Sequence, residues 1–324
     1  MRTNLRLLKI QLQSFLIISD MEKFSKIYPT LKPSIVAIAS RLSKNPELPD
    51  IIGTGFIARP DGIIFTNNHV IQAIKKLPRL KSMGPEDWPI VVLYFHWVPD
   101  KGMMIIDLEV KGVGGLKREK PVEGYNYGPD IPDLGFIHVH IKDLPALKIA
   151  EKLELQEGDE VMLAGFPMGT DTLRAPGWLH QLTPTLQSGI ISAILPFPCD
   201  NPHAMLVNIM TQGGSSGSPV FNPSTGEVIG IEYAGIVEPK TLSGKSGIFI
   251  FEDNTSLTFA IPAKIVREIY QKIDEVEEFK NADVSKFDTI ESLIAKKEVK
   301  IRLPKTPTMR PVSPDEILKD YYKK

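Results

Sequence analysis

A single cysteine, Cys199, stands among 324 residues, so no disulfide can form within the chain. That suits a reducing compartment, although a disulfide-free exported protein would have the same composition. Charge of one sign is also lacking. The formal net charge is −1, which removes the whole-molecule basic field that would point to nucleic acid or an anionic membrane surface. No apolar run is long enough to span a bilayer, so stable membrane insertion is not expected. The first twenty residues, "MRTNLRLLKIQLQSFLIISD", weakly resemble a signal peptide. Lys9, Gln11, Gln13 and Ser14 interrupt their apolar run, and no clear small-x-small cleavage site follows. A cytoplasmic location is therefore favoured, with export as the alternative and Met21 as an alternative start. No internal repeat recurs at a period of 20–50 residues.

The composition that remains, 42% hydrophobic and 24% charged, fits a globular protein with one large or two modest cores. Residues 15–28 read as a short amphipathic helix stopped by Pro29 and Pro33. From Ser34 onward, short apolar or alternating runs are separated by Gly, Pro, Asn and Asp: "SIVAIAS", "GTGFIA", "GIIFTNNHVI", "PIVVLYFHWV", "MIIDLEVKGV", "LGFIHVHI", "EVMLAGFP", "SGIISAIL", "AMLVNIM", "SPVFN", "EVIGIEYA" and "SLTFAIP". So many short strands predict an all-β molecule, and their number suits two small barrels. Helical periodicity returns only at "PAKIVREIYQKIDEVEEF", where Ile265, Ile269, Ile273 and Val276 share a face. Beyond about residue 280 the chain becomes charged and then proline-rich, in the manner of a tail, partly extended and docked on the body.

The segment "TQGGSSGSPVF" at 211–221 packs three serines among glycines, yet apolar strands flank it on both sides. A serine hydroxyl becomes a nucleophile only with a base, a group that orients the base, and donors for the oxyanion. Ser216 has Gly214 two residues before it and Gly217 just after, so its N–H and that of Gly214 can converge as a two-donor pocket. Neither Ser215 nor Ser218 has glycine at both offsets. A decorated turn is the plain alternative. For the base, His69 ends the second of two strand-like runs joined by the turn signal "RPDG". His138 and His140 lie two apart on one strand face; with no third ligand marked nearby, they read as an exposed face and no metal is expected. His96, His180 and His203 read as ordinary surface or loop residues, and Cys199 as a loop or partly buried residue. For the orienting carboxylate, Asp133 opens the strand "LGFIHV", with Asp130 as a close competitor.

Six blocks, "GTGFIARPDGIIFTNNHVI", "DLGFIHV", "LPALKIAEKLELQEGDEVMLAGFPMG", "LQSGIISAI", "GGSSGSPVFNPSTGEVIGI" and "TFAIPAKIVREI", resemble in order and approximate spacing those of HtrA/Deg-type serine peptidases, which have a trypsin-like fold. The resemblance covers about residues 34–270. It implies two six-stranded antiparallel barrels (34–273), a short N-terminal helix, and a C-terminal helix plus tail, with the active site between the barrels. It implies His69 as base, Asp133 rather than Asp130 as orienter, Ser216 as nucleophile, and Gly214 and Ser216 as oxyanion donors. It places substrate at Met210 and at Tyr233, Ala234 and Gly235. With no acid at Met210, cleavage is expected after small to medium apolar residues of unfolded or damaged polypeptides, without any cofactor.

Three departures stand out. Ser215 and Ser218 replace the Asn and Gly usual beside the nucleophile, and Ser218 is expected to stiffen the loop. The interval from His69 to Asp133 is longer than usual, with the excess in "KKLPRLKSMGPEDWP" and "GGLKREKPVEGYNYGPDIP". Residues 274–324 are too few for a PDZ domain, so none is expected there. The resemblance further implies a possible homotrimer contact through residues 1–33, where Phe24, Ile27, Tyr28 and Leu31 need a partner surface. Two other classes stand beside an endopeptidase: a catalytically silent or latent module that binds or chaperones unfolded chains, and a structural protein with an accidental Gly/Ser loop. The latter leaves the six ordered blocks unexplained.

Overall fold

The computed structural model describes residues 24–42, 50–85, 87–98, 102–115, 132–151, 154–169, 182–195, 204–244, 247–276 and 282–302. The leader-like residues 1–20, Asp130, His180, Cys199, His203 and the end of the tail lie outside these.

Helical residues 24–31 (α1) continue through Pro29 to Leu31, further than the sequence suggested, and a 3₁₀ turn at Lys32–Ser34 holding Pro33 ends them. Phe24 is buried against Phe221, with ring centroids 5.8 Å apart, and Tyr28 stacks on Phe24 at 5.7 Å. Ile27, Tyr28 and Leu31 pack on the same core. The apolar face that suggested a trimer contact thus finds a partner surface within the chain.

The first unit is a sheet of eight strands: β1 (Ile35–Ser40), β2 (Asp50–Ile57), β3 (Ile63–Thr66), β4 (Ile90–Val98), β5 (Gly102–Glu109), β6 (Gly112–Gly115), β7 (Gly135–His138) and, from the far end of the chain, β14 (Lys300–Arg302). Their order is β14-β5-β4-β1-β2-β3-β7-β6. All six residues of β1 are buried, because the strand is central and both sheet faces are covered. Ile35, Ala37 and Ala39 join the core shared with the second unit. Val36 and Ile38 join a second core with Val70, Ile71 and Ile74 of α2 (Asn68–Lys76) and Ile290 of α4 (Ile290–Lys296). That alternation explains why "SIVAIAS" is apolar without interruption.

The second unit is a closed antiparallel barrel of β8 (Glu160–Gly165), β9 (Thr185–Leu195), β10 (Ala204–Val207), β11 (Pro219–Phe221), β12 (Val228–Gly244) and β13 (Gly247–Pro262), in the order β10-β13-β12-β11-β8-β9. Helix α3 (Ala263–Lys272) follows and buries Ala263 and Val266. The all-β architecture expected from the sequence is therefore present, and the second barrel has the expected six strands. The first unit departs from that expectation: it is an eight-stranded sheet rather than a six-stranded barrel. Part of the difference is β14, which lies in the segment read as a tail. It pairs with β5, and Arg302 grips Asp107 through Nε–Oδ1 at 2.6 Å and a second N–H to Oδ2 at 2.8 Å. Strands β12 and β13 also pair beyond the barrel, from Val237–Asn254 to Gly244–Gly247, a ribbon whose far half carried no alternating signal in the sequence reading.

Candidate active site at the seam of the two units

The site begins with a helix end. Strand β3 runs into Asn67, the N-cap of α2, and His69 occupies the first turn of that helix rather than the end of a strand. First-turn N–H groups have no acceptor within their own helix. Asp133 supplies acceptors from outside. Its main-chain carbonyl accepts the Asn68 N–H at 3.2 Å and the Asn67 side-chain amide at 2.9 Å. Its carboxylate Oδ1 accepts the His69 N–H at 2.8 Å, and Oδ2 lies 2.5 Å from His69 Nδ1. One aspartate therefore caps the helix and orients the imidazole. A carboxylate is also well placed electrostatically at a helix N-terminus. Held in this way, the ring keeps its proton on Nδ1 and presents the Nε2 lone pair outward. His69 is about half exposed and Asp133 largely covered, at 49% and 17% side-chain exposure, so the pair opens to solvent through the histidine.

Ser216 lies in the loop before β11 and belongs to the second unit, but its carbonyl accepts the Thr54 N–H of β2 at 2.8 Å. The Thr54 hydroxyl donates to Gly214 O at 2.7 Å and accepts the Phe166 N–H at 3.1 Å. A single buried threonine thus ties the serine loop to both units. Gly214 has φ +96°, and a Cβ there would stand 2.5 Å from Phe166 O, so only glycine fits. Gly217 has φ +93°, and a Cβ would stand 2.2 Å from Thr54 O. The Ser218 hydroxyl donates to Ser215 O at 2.5 Å, and the Ser218 N–H donates to the same oxygen at 2.9 Å, which closes the turn. Among the described residues, the N–H groups of Gly214 and Ser216 have no acceptor. Donors that stabilise an oxyanion have to be free in this way. No hydrogen bond joins Ser216 to His69 among the described residues.

Met210 is exposed at 45%. Tyr233 stacks on Phe259 at 5.8 Å, and burial followed by the nearby Asp133 charge pushes its phenol up to about 12. Strand β11 pairs with β12 only as far as Ile231, while Ala234 and Gly235 pair with Phe259 and Thr258 of β13. The other edge of 233–235 has no neighbouring strand among the described residues and is open to an added one. Among the described residues, no group of three or more His, Cys, Asp or Glu could hold a metal ion. His138 is buried, not part of an exposed face. It packs edge-on against His140 at 4.7 Å, and His140 stacks on Phe287 at 4.6 Å.

Two residues of the site were not singled out in the sequence reading. Thr54 carried no signal beyond its place between glycines. Glu232 did carry one, as a lone acid inside the apolar run "VIGIEYA". It is 2% exposed on β12, where the barrel meets Asp133.

A helix-capped His–Asp couple on one β unit and a glycine-rich serine loop on the other are the parts a trypsin-type site requires. The family model for the trypsin-like peptidase domain matches residues 53–231, more than half of the chain, and the chain belongs to that family. Curated relatives include a probable periplasmic serine endoprotease, DegP-like, of Pseudomonas fluorescens, 28% identical over 225 residues, which is 68% of this chain and 35% of the relative. One of the same description from Hahella chejuensis is 24% identical over 234 residues, 72% of this chain and 37% of the relative. The chain spans about a third of the length of these relatives. Among solved structures, the HtrA-type protease AlgW with a decapeptide has a TM-score of 0.48 at 18% identity, covering 78% of this chain and 68% of that one. The curated relatives are named periplasmic, which overturns the cytoplasmic location favoured from the composition. Composition misled because the absence of disulfides does not separate the two compartments.

Proposed function

We propose that the protein is an exported serine endopeptidase that hydrolyses peptide bonds through an acyl-enzyme. In this account Ser216 attacks the scissile carbonyl while His69 Nε2 takes its proton. Asp133 holds the imidazole and stabilises the imidazolium, and the N–H groups of Gly214 and Ser216 receive the oxyanion. His69 then returns the proton to the leaving amine, and water repeats the sequence to release the acyl group. The substrate chain adds along the open edge at Tyr233, Ala234 and Gly235, and Met210 contacts the residue before the cut. Unfolded polypeptides fit best, because only an extended chain can pair with that edge. Small to medium apolar side chains remain the proposed preference before the cut. Assembly into homotrimers stays in this proposal on the family resemblance alone, since the apolar face of α1 packs within the chain, and a monomeric mass in sedimentation would remove it.

The observation that carries the proposal is the single carboxylate of Asp133 bonding both the His69 main chain and its ring. A binding module has no use for that arrangement. Asp133→Asn keeps the shape but turns the ring to the wrong tautomer. Casein hydrolysis is expected to fall by about four orders of magnitude in kcat with little change in KM. Unchanged kcat in a folded variant would contradict the assignment. A latent protease-fold module that holds unfolded chains without cutting them is the second reading. The two differ in whether any polypeptide triggers turnover.

A further inference from the structure

Glu232 is buried behind the serine loop, and its main chain holds that loop's exit. Its carbonyl accepts the Gly217 N–H at 3.1 Å, and its N–H donates to Ser218 O at 2.9 Å. Its carboxyl lies beside the side chain of Thr211, on the segment that enters the loop. Its Oε2 is buried with no hydrogen-bond partner.

The direction of the neighbouring hydrogen bonds fixes what this carboxyl must be. Thr258 donates its only hydroxyl proton to Ile209 O at 2.8 Å. The 2.8 Å contact between the Thr258 and Thr211 hydroxyls must therefore be donated by Thr211. Thr211 has only lone pairs left for Glu232. A carboxylate would face those lone pairs; a protonated carboxyl donates into them. Burial first, and then the charge of Asp133, push Glu232 up to about 8. A Thr211 proton turned toward the carboxylate would oppose this, but that proton is committed to Thr258.

We propose that Glu232 is a positioning residue for the hydrolysis: its neutral carboxyl completes a relay through Thr211 and Thr258 to Ile209 O, fixing the entry of the serine loop while its main chain fixes the exit. The proposal rests on the reading of Ser216 as nucleophile. The charged group facing Glu232 is Asp133, at the seam with the first unit, with His69 bonded beyond it. β13 offers Thr258, the 209–211 segment offers Thr211, the serine loop offers main chain, and no cation acts on the carboxyl among the described residues. Ionisation would break the relay and place a second negative charge beside the Asp133–His69 pair.

The test compares kcat and KM from pH 6 to 10 for the wild type and Glu232→Gln, whose amide N–H can still donate to Thr211. The wild type is expected to lose kcat above about pH 8. E232Q is expected to keep plateau activity within about threefold and to lose that alkaline limb, with the acid limb unchanged. The same alkaline limb in both proteins would overturn the proposal. Thermal unfolding separates this from the protease reading. A group whose native pKa is raised holds more protons folded than unfolded between the two values. Wild-type stability relative to E232Q should then fall as pH rises from about 4.5 to about 8, whether or not the protein cuts anything. Parallel stability curves would overturn the proposal. If E232Q does not fold, carboxyl NMR of the wild type decides: one carboxyl titrating near 8 supports it, and none above 6 overturns it. Loss of hydrolysis in the wild type with this titration present would instead defeat the protease reading alone.

Discussion

At the scale of single residues, Thr54 has the most to lose. Its hydroxyl serves Gly214 O and the Phe166 N–H together, and both partners sit in tightly packed backbone. Thr54→Val keeps the shape and leaves both groups without a partner. Each orphaned group costs about 1–3 kcal/mol. The variant is expected to unfold at lower denaturant and to lose at least tenfold in kcat with KM nearly unchanged, because the Gly214 peptide is no longer held. Wild-type kcat in a folded T54V protein would show that Thr54 does not set the donor pair. His69, Asp133 and Ser216 could be proposed from the sequence because each sits by a local mark, a turn signal, a strand opening or a glycine pattern, although only the family resemblance separated Asp133 from Asp130. Thr54 could not, because its partners Gly214 and Phe166 lie more than a hundred residues away; Glu232 stood out as a lone acid in an apolar run, but nothing local said what it serves. A threonine between two glycines looks the same whether or not it bonds a distant loop.

At the scale of elements, the docked tail shows the same limit. The 3₁₀ turn at Val284–Lys286, Phe287 and α4 lie against the first sheet. The Lys142 N–H donates to Asp288 O at 3.0 Å, and Phe287 covers the His138–His140 pair. Docking was expected, but its address was not, because a charged segment with few apolar residues gives no direction. Phe287→Ala should release this cover. Amide exchange in Ile290–Lys296 is expected to speed up strongly while labelling of Ser216 stays intact, and unchanged protection would contradict the contact. The same contact has a pH dependence. Burial first, and then His140, push His138 down to about 4. The unfolded chain therefore binds the proton more readily between about pH 6.5 and 4, so stability is lost as the pH falls through that window. Urea denaturation at pH 7 and pH 5 checks this, with His138→Gln expected to lack that share of the loss.

At the scale of the whole molecule, neither unit carries the site alone. The first provides the His69–Asp133 couple and Thr54; the second provides the serine loop, Glu232 and the open edge of β12. A shared core crosses the seam, including the Phe95–Phe166 stack at 5.3 Å, so the halves of the site are held by packing as well as by hydrogen bonds. The twelve apolar runs foretold an all-β chain because strand alternation survives in sequence. The eight-stranded first sheet was not foretold: pairing of residue 301 with residue 106 is a long-range choice with no local trace. The central claim is that Ser216, across that seam from His69, is an activated nucleophile. The most direct measurement treats the purified protein and Ser216→Ala with a fluorophosphonate probe, with and without casein, and maps the label by peptide mass spectrometry. The account predicts a label on Ser216, none in the variant, and casein cleavage that disappears with it. A label on another serine, or none on Ser216 under any polypeptide trigger, would contradict it.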